Sequence, residues 1–224
     1  METQYNITAI VPARKGSVRL PGKNLLPLCG LPLISHTIQA IADSELITSQ
    51  DTIVTTDDPG VFDLLGVSYI RKRPAHLATA EASQVDVCLD AVEWFSEQGH
   101  NTDIVILLQP TSPLRTGWDI DNAITQYIHS EKKSLVSVSF VQEHPGDMLD
   151  IHGNFSPHKH KNYLYLTGAI YIVDLEYLKQ KRVFYVQGET ELYFMPKWRS
   201  IDIDDEEDFI VAEKIMRGGI QHGR

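Results

Sequence analysis

The chain is short of several features that would each point to a class. It has only two cysteines, Cys29 and Cys88, in 224 residues. That is too few for a disulfide framework or a cysteine-built zinc site, and both sit among apolar neighbours, as buried thiols do. No stretch approaches the roughly 20 apolar residues that cross a bilayer. The N-terminus, METQYNITAIV, has no basic region followed by an apolar core, so no secretory signal is expected. These features together predict a cytoplasmic protein with no membrane partner. A formal charge of −10 argues against nucleic acid as a partner. No Ser-His-Asp or Cys-His arrangement stands out.

The most telling deficit is local. The chain carries 30 Asp and Glu against 20 Lys and Arg, yet no acidic residue falls between Thr3 and Ala42. Inside that window lies IVPARKGSVRLPGKN, residues 10–24. The apolar run Thr8-Ala9-Ile10-Val11 breaks there into a loop with Gly16, Pro21 and Gly22 and the cations Arg14, Lys15, Arg19 and Lys23. The apolar spacing of Leu33, Ile34, Ile38 and Ile41 then predicts a helix. Strand, basic glycine-containing loop and helix suit a polyphosphate, because exposed N–H groups and Lys or Arg side chains attract anions. The alternative is a solvated basic loop at a sheet edge. A Walker loop is excluded, since five residues rather than four separate Gly16 from Gly22 and Asn24 follows Lys23. The G-x-G-x-x-G dinucleotide pattern is absent too, which argues against an oxidoreductase.

Length and an apolar content of 42% predict one domain spanning residues 1–224. Strands are expected at 7–12, 52–56, 67–71, 103–108, 135–140 and 163–173. Helices are expected at 32–42, 58–65, 83–97, 117–129 and 205–217. Alternation of the two, with continuously apolar strands, predicts an α/β fold with a mostly parallel sheet covered on both faces. Ligands of such sheets bind beyond the carboxyl ends of the strands. The basic loop, Asp57 and Gln109 all follow strands there. Residues 141–163 break the pattern: they are polar, with four histidines lacking the spacing of a metal site.

A second local extreme is DIDDEED, residues 202–208, where six of seven side chains are acidic. If this segment is a strand, Asp202 and Asp204 project together while Ile203 packs inward. Paired carboxylates suit Mg²⁺, which is commonly held by one or two carboxylates plus phosphates and water. Asp205 is placed to cap the following helix, with Glu206 and Glu207 in its first turn.

Read together, these stretches resemble the sugar-acid cytidylyltransferases, specifically the CMP-sialic acid synthetases and their relatives. VPARKGSVRLPGKNL (11–25) carries the resemblance, with VTTDD (54–58), RPAHLATAEAS (73–83), LLQPTSPLRTG (107–117), SIDIDDEEDF (200–209) and, more weakly, GAIYI (168–172) in the family's order. The resemblance implies a Rossmann-like nucleotidyltransferase sheet with a small dimerisation excursion at 141–163. It also implies transfer of CMP from CTP to a 2-keto-sugar acid, with pyrophosphate leaving. A sugar hydroxyl would attack the α-phosphate in line, which needs no enzyme nucleophile.

On that resemblance Arg14 and Lys23 match the triphosphate-binding positions, and Asp202 and Asp204 match the Mg²⁺ ligands; these four are the candidate catalytic residues. Lys15, Gly16, Ser17, Asn24 and Ser83 join Arg14 and Lys23 as nucleotide-binding candidates, although Asn24 could equally cap a turn. Gln84 stands where a second serine would follow Ser83. Gln109, Thr111, Ser112, Phe184 and Tyr185 are sugar-side candidates, the last two being alternatively core aromatics in a strand. Arg115 could pair with a carboxylate or serve the fold. The acceptor side departs from the family. Asp147 or Met148 stands where a lysine is expected, SPHKHKN (156–162) lacks an Arg-Gln pair, and Thr167 replaces Asn. The expected acceptor is therefore a nonulosonic acid other than N-acetylneuraminate, in a homodimer whose 141–163 segment completes the neighbour's sugar pocket. An octulosonate or another sugar acid, another nucleotide, and an inactive nucleotide-binding protein on the same fold stay open as alternatives.

Overall fold

A computed structural model describes residues 5–62, 67–141 and 163–218. The expected excursion lies almost entirely outside these described residues. So do the expected lysine position and the missing Arg-Gln pair.

Seven strands form one sheet in the order β5-β4-β1-β6-β8-β7-β9. They are β1 (Ile7–Pro12), β4 (Thr52–Thr56), β5 (Tyr69–Lys72), β6 (Ile104–Leu107), β7 (Ser134–Phe140), β8 (Leu164–Asp174) and β9 (Thr190–Phe194). All neighbouring pairs are parallel except those made by β8, which runs against β6 and β7. Two further strands, β2 (Pro27–Leu28) and β3 (Leu31–Pro32), make a separate ribbon.

Why the central strands are strands is plain from burial. The four residues of β6, Ile104 to Leu107, are all 4% exposed or less. Burying each such side chain contributes about 1.5–3 kcal/mol, and a continuous apolar run survives only where both faces of a sheet are covered. One face packs Ile34, Ile41, Ile120 and Ile124 from helices α1 (Leu33–Ala42) and α4 (Gly117–His129). The other packs Val85, Cys88, Val92 and Phe95 from α3 (Gln84–Glu97), with Leu178 of α5 (Leu175–Lys181). Cys88 is buried within this second cluster, where burial pushes its thiol up to about 12.

Local chemistry sets the helix starts. Thr116 and Asp119 form a reciprocal capping box on α4. Ser83 accepts from Val85 N at the start of α3. Asp205 accepts from Glu207 N at 3.0 Å and Asp208 N at 3.1 Å, capping α6 (Glu206–Gly218) as its position implied.

Three corrections to the expected elements matter. The basic loop does not open directly into α1: a single 3₁₀ turn at Lys23–Leu25 and the β2–β3 ribbon intervene. Residues 201–204 belong to no strand. α5 and β9 were not foreseen, because one is a helix of seven residues and the other, TELYF, lacks a clean apolar alternation. Of the helix expected at 58–65, α2 (Pro59–Phe62) is described.

Candidate active site

The chain runs outward from β1 through β4 to β5, then returns to β6 on the other side of β1. This reversal leaves a crevice between the carboxyl ends of β1 and β6, where open α/β sheets bind ligands. The cleft found there is lined by Pro12, Arg14, Ser17, Lys23 and Asn24 from the first loop and by Gln109, Pro110 and Thr111 from the loop after β6. Arg73 and Gln84 complete it.

The first loop is held by its own backbone. Ser17 N donates to Lys15 O at 2.9 Å, and the Asn24 side-chain amide donates to Arg14 O at 3.0 Å. The Arg14 guanidinium donates to Gly16 O. Asp57, at the end of β4, accepts from Lys15 N at 2.7 Å and ties the loop to the sheet. Gly22 turns the chain into Lys23 with φ at 67°, a conformation glycine adopts without a Cβ clash. The Lys15 side chain is not among the cleft-lining groups; its role in the loop is through the backbone.

Lys23 joins the basic loop to the acidic segment. Its Nζ donates to Ile203 O at 2.5 Å and lies 3.4 Å from Asp204 Oδ1, with only 11% of the side chain exposed. Arg19 reaches the other Asp204 oxygen at 2.6 Å. Ile203 N donates to Thr111 O at 2.7 Å, so residues 201–204 are pinned between the two loops without a strand ladder. Ile203 is fully buried with Leu28, Leu33 and Ala212. The inward Ile203 expected from strand alternation therefore holds, for a different reason: an apolar pocket under α6 takes it.

Asp202 is half-buried. Its carboxyl is raised above the usual range by burial and further by the charge of Asp204, while a Thr111 contact and Lys23 pull the other way. Its Oδ1 is buried with no hydrogen-bond partner. An orphaned carboxylate oxygen beside a second carboxylate is a fit for a hard divalent cation, which takes oxygen ligands and relieves desolvation of the acid. Among the described residues no group of three or more His, Cys, Asp or Glu could surround one ion. Asp202 and Asp204 would thus be the protein's share of a metal whose other ligands are phosphate and water.

The remaining candidates divide. Gln109 and Thr111 line the cleft, whereas Ser112 is fully buried with its hydroxyl unpaired. Arg115 serves the fold. It is 2% exposed and donates to Gln109 O, Ala169 O and Thr37 Oγ1, while burial brings its guanidinium down to about 10. Ser83 is occupied as the cap of α3, and its neighbour Gln84 faces the cleft instead. Phe184 and Tyr185 lie between α5 and β9 rather than in a strand. Phe184 packs on the core with its ring 5.3 Å from Tyr171, and Tyr185 is 45% exposed; neither lines the cleft.

Arg73 was not foreseen. It stands one residue past β5, is 5% exposed, and its guanidinium donates to Thr55 O at 2.7 Å. Burial lowers its pKa, opposed by the charge of Asp57. In the run Arg71-Lys72-Arg73 nothing local distinguishes one cation from the next. Arg71 pairs outward with Asp90, which leaves Arg73 as the cation of that run in the cleft.

Comparison with known proteins agrees with this geometry. A family model described as cytidylyltransferase matches residues 8–193. The chain belongs to the cytidylyltransferase family. It is 35% identical over 217 residues to N-acylneuraminate cytidylyltransferase of Streptococcus agalactiae, covering 90% of this chain and 51% of that protein. The chain thus spans about half the length of those streptococcal relatives. It is 34% identical to CMP-N,N'-diacetyllegionaminic acid synthase of Legionella pneumophila, over 94% of this chain and 96% of that one. The solved structure of a CMP:2-keto-3-deoxy-manno-octonic acid synthetase complexed with CTP superposes with a TM-score of 0.69 at 18% identity, covering 96% of this chain and 99% of that one. A cytidylyltransferase of Leptospira borgpetersenii does so with 0.61 at 17%, covering 99% of each. The cytidylyltransferase fold is thereby shared well beyond recognisable sequence identity.

Proposed function

We propose that this cytidylyltransferase transfers CMP from CTP to a hydroxyl of a 2-keto-sugar acid of the nonulosonic class, releasing pyrophosphate, for surface glycan synthesis. The observation that carries the reading is Lys23. One nearly buried ammonium of the cleft wall reaches Ile203 O and Asp204, so the carboxylates of 202–204, which are not themselves cleft-lining groups, stand directly behind the cations that would hold a triphosphate.

The chemistry is chiefly positioning and charge stabilisation. Arg14 and Lys23 bind the phosphates, Asn24 braces the loop, and Arg73 and Gln84 add polar groups to the nucleotide side. Gln109 has no useful pKa to act as a base. It orients the attacking hydroxyl by hydrogen bonding, while Thr111 lines the same wall. A Mg²⁺ held by Asp202 and Asp204 would offset phosphate charge when bound.

The nonulosonic assignment draws on the two named relatives, one of which, the legionaminic acid synthase, matches along nearly its whole length. The unmatched sugar-side positions still favour an acceptor other than N-acetylneuraminate. We also propose a homodimer, supported by the exposed apolar side chains Phe140, Leu164, Leu166 and Phe194 at one end of β7, β8 and β9. A cytoplasmic location is supported by two free cysteines; no described helix is long and apolar enough to cross a membrane. The test is pyrophosphate release with CTP and a panel of N-acetylneuraminic, legionaminic, pseudaminic and octulosonic acids. Release with none of them would overturn the reading. A preference for N-acetylneuraminate would overturn only the substrate choice.

A further inference from the structure

β8 does not run evenly past β7. Val136 pairs with Tyr171 and Val138 with Leu166, so two steps along β7 match five along β8. A bulge of this size removes ladder partners from backbone groups. Buried side chains replace them. Ser137 Oγ accepts from Ile170 N at 2.9 Å, Thr167 Oγ1 accepts from Ala169 N at 3.3 Å, and Arg115 donates to Ala169 O at 2.8 Å. Ser137, Thr167 and Arg115 are each 2% exposed or less, where bonded polar groups stiffen the backbone they hold; of this set only Arg115 Nε is left without a partner. Thr167 is spent on this network and bonds Ser137 Oγ at 2.6 Å.

At the crest of the bulge is Gly168, with φ at 76°. A Cβ at that position would stand 2.7 Å from Gln109 Oε1 and 3.5 Å from Asp202 Oδ2. The first distance is a collision; the second is ordinary contact. The backbone alone favours glycine here, since φ at 76° strains any L residue, and of the side chains around a Cβ only the Gln109 amide would have to move. Arg115 makes the same junction from the other side, since it also donates to Gln109 O.

We infer that Gly168 is a positioning residue for the acceptor sugar. The bulge presses bare backbone against the Gln109 amide and holds it toward the attacking hydroxyl, so β8 sets acceptor alignment through Gln109. This rests on the cleft being a sugar-acid cytidylyl-transfer site, with Gln109 on the acceptor side.

Gly168→Ala is the test, because the colliding atom is the far end of a flexible side chain and can rotate away without unfolding the core. Two readouts separate the inference from the functional reading. In amide nitrogen–proton spectra, the Gln109 side-chain resonances (identified by their loss in Gln109→Ala) should shift in Gly168→Ala. That result needs no activity, and unshifted resonances would overturn the inference even in an active enzyme. In kinetics, Gly168→Ala should lower kcat/KM for the sugar acid about ten-fold with KM for CTP within about two-fold, and should cost nothing further in the Gln109→Ala background. Additive losses would also overturn it. The strain of φ at 76° is common to Gly168→Ala and Gly168→Ala/Gln109→Ala, so the collision is read as a difference in urea unfolding: the change at 168 should cost less stability in the Gln109→Ala background than in the wild type, and an equal cost, or unfolding of both variants, would sink the inference. A wild-type protein inactive with every sugar acid would defeat the functional reading, leaving the spectra to decide the role of Gly168.

Discussion

The two halves of the cleft are built in opposite ways. The proposed nucleotide half rests chiefly on one continuous loop, Arg14 to Asn24, folded on its own backbone and anchored by Asp57, with Arg73 and Gln84 added beside it. The proposed acceptor half is assembled from distant segments, Gln109 after β6 and Gly168 in a β8 bulge, with Asp202 of the stretch before α6 at its border with the nucleotide half. A contiguous loop carries its geometry in its own residues. A composite wall depends on packing among elements far apart in the chain, so its sequence can drift position by position as long as the contacts are remade. This is why the residues of 11–25 could be read as one motif, whereas the acceptor wall could not be read from any single stretch.

The largest expected effect falls where the halves meet. Asp202→Asn should lower turnover by about 10²–10³, the cost of losing a preorganised charge in a dry site, and chelation by EDTA should abolish the wild-type activity. Full activity in EDTA would remove the metal from the account. The same substitution should stabilise the unliganded protein. Because the folded state raises the Asp202 carboxyl above its ordinary value, it binds a proton more tightly than the unfolded chain. Stability is therefore lost as pH rises from the ordinary aspartate range through the raised value. Melting curves should show Asp202→Asn more stable than wild type at neutral pH, with the gap closing at acidic pH. A less stable variant at neutral pH would contradict the assigned cause of the shift.

Next is the nucleotide half alone. Lys23→Ala removes a charge-assisted contact and should cost about 2–3 kcal/mol in kcat/KM. Lys23→Arg should rescue only part of this, because a planar fork does not fit the compact site that reaches Ile203 O. An alanine variant with wild-type kinetics would return Lys23 to a solvated loop.

On the acceptor side, Arg115→Met should appear first as instability. It takes the arginine donor from Ala169 O and Thr37 Oγ1, and leaves Gln109 O only its bond from Ser112 N, a loss of about 2 kcal/mol measured by urea unfolding. Unfolding indistinguishable from wild type would mean the bulge network holds itself without the arginine. The smallest effect concerns Ser83. As the cap of α3 it should cost about 1 kcal/mol on substitution by Ala, with KM for CTP unchanged. A raised KM for CTP without loss of stability would restore Ser83 to the nucleotide site.

Some of this was legible before any coordinates. Continuous apolar runs such as Ile104–Leu107 announced central strands, because buried parallel strands need apolar residues on both faces. The acid-free window marked the loop that lines the cleft, since local charge needs no tertiary context to be counted. Asp205 before a helix start was readable as a cap for the same local reason. Ser83 caps α3 by the same local chemistry, a role not assigned to it from the sequence.

What the chain's order alone determined was the α/β alternation, the basic loop and the acidic pair, each written within a few consecutive residues. Tertiary structure alone decided which cation of Arg71-Lys72-Arg73 enters the cleft, that Arg115 ties the loop after β6 to β8 and α1, and that Gly168 abuts Gln109. It also replaced the expected strand at 202–204 with a segment pinned by Lys23 and Thr111. The physical reason is range. Propensity, capping and charge density act over a few residues, whereas a wall made where β6, β8 and the segment before α6 converge exists only once the sheet has closed around it.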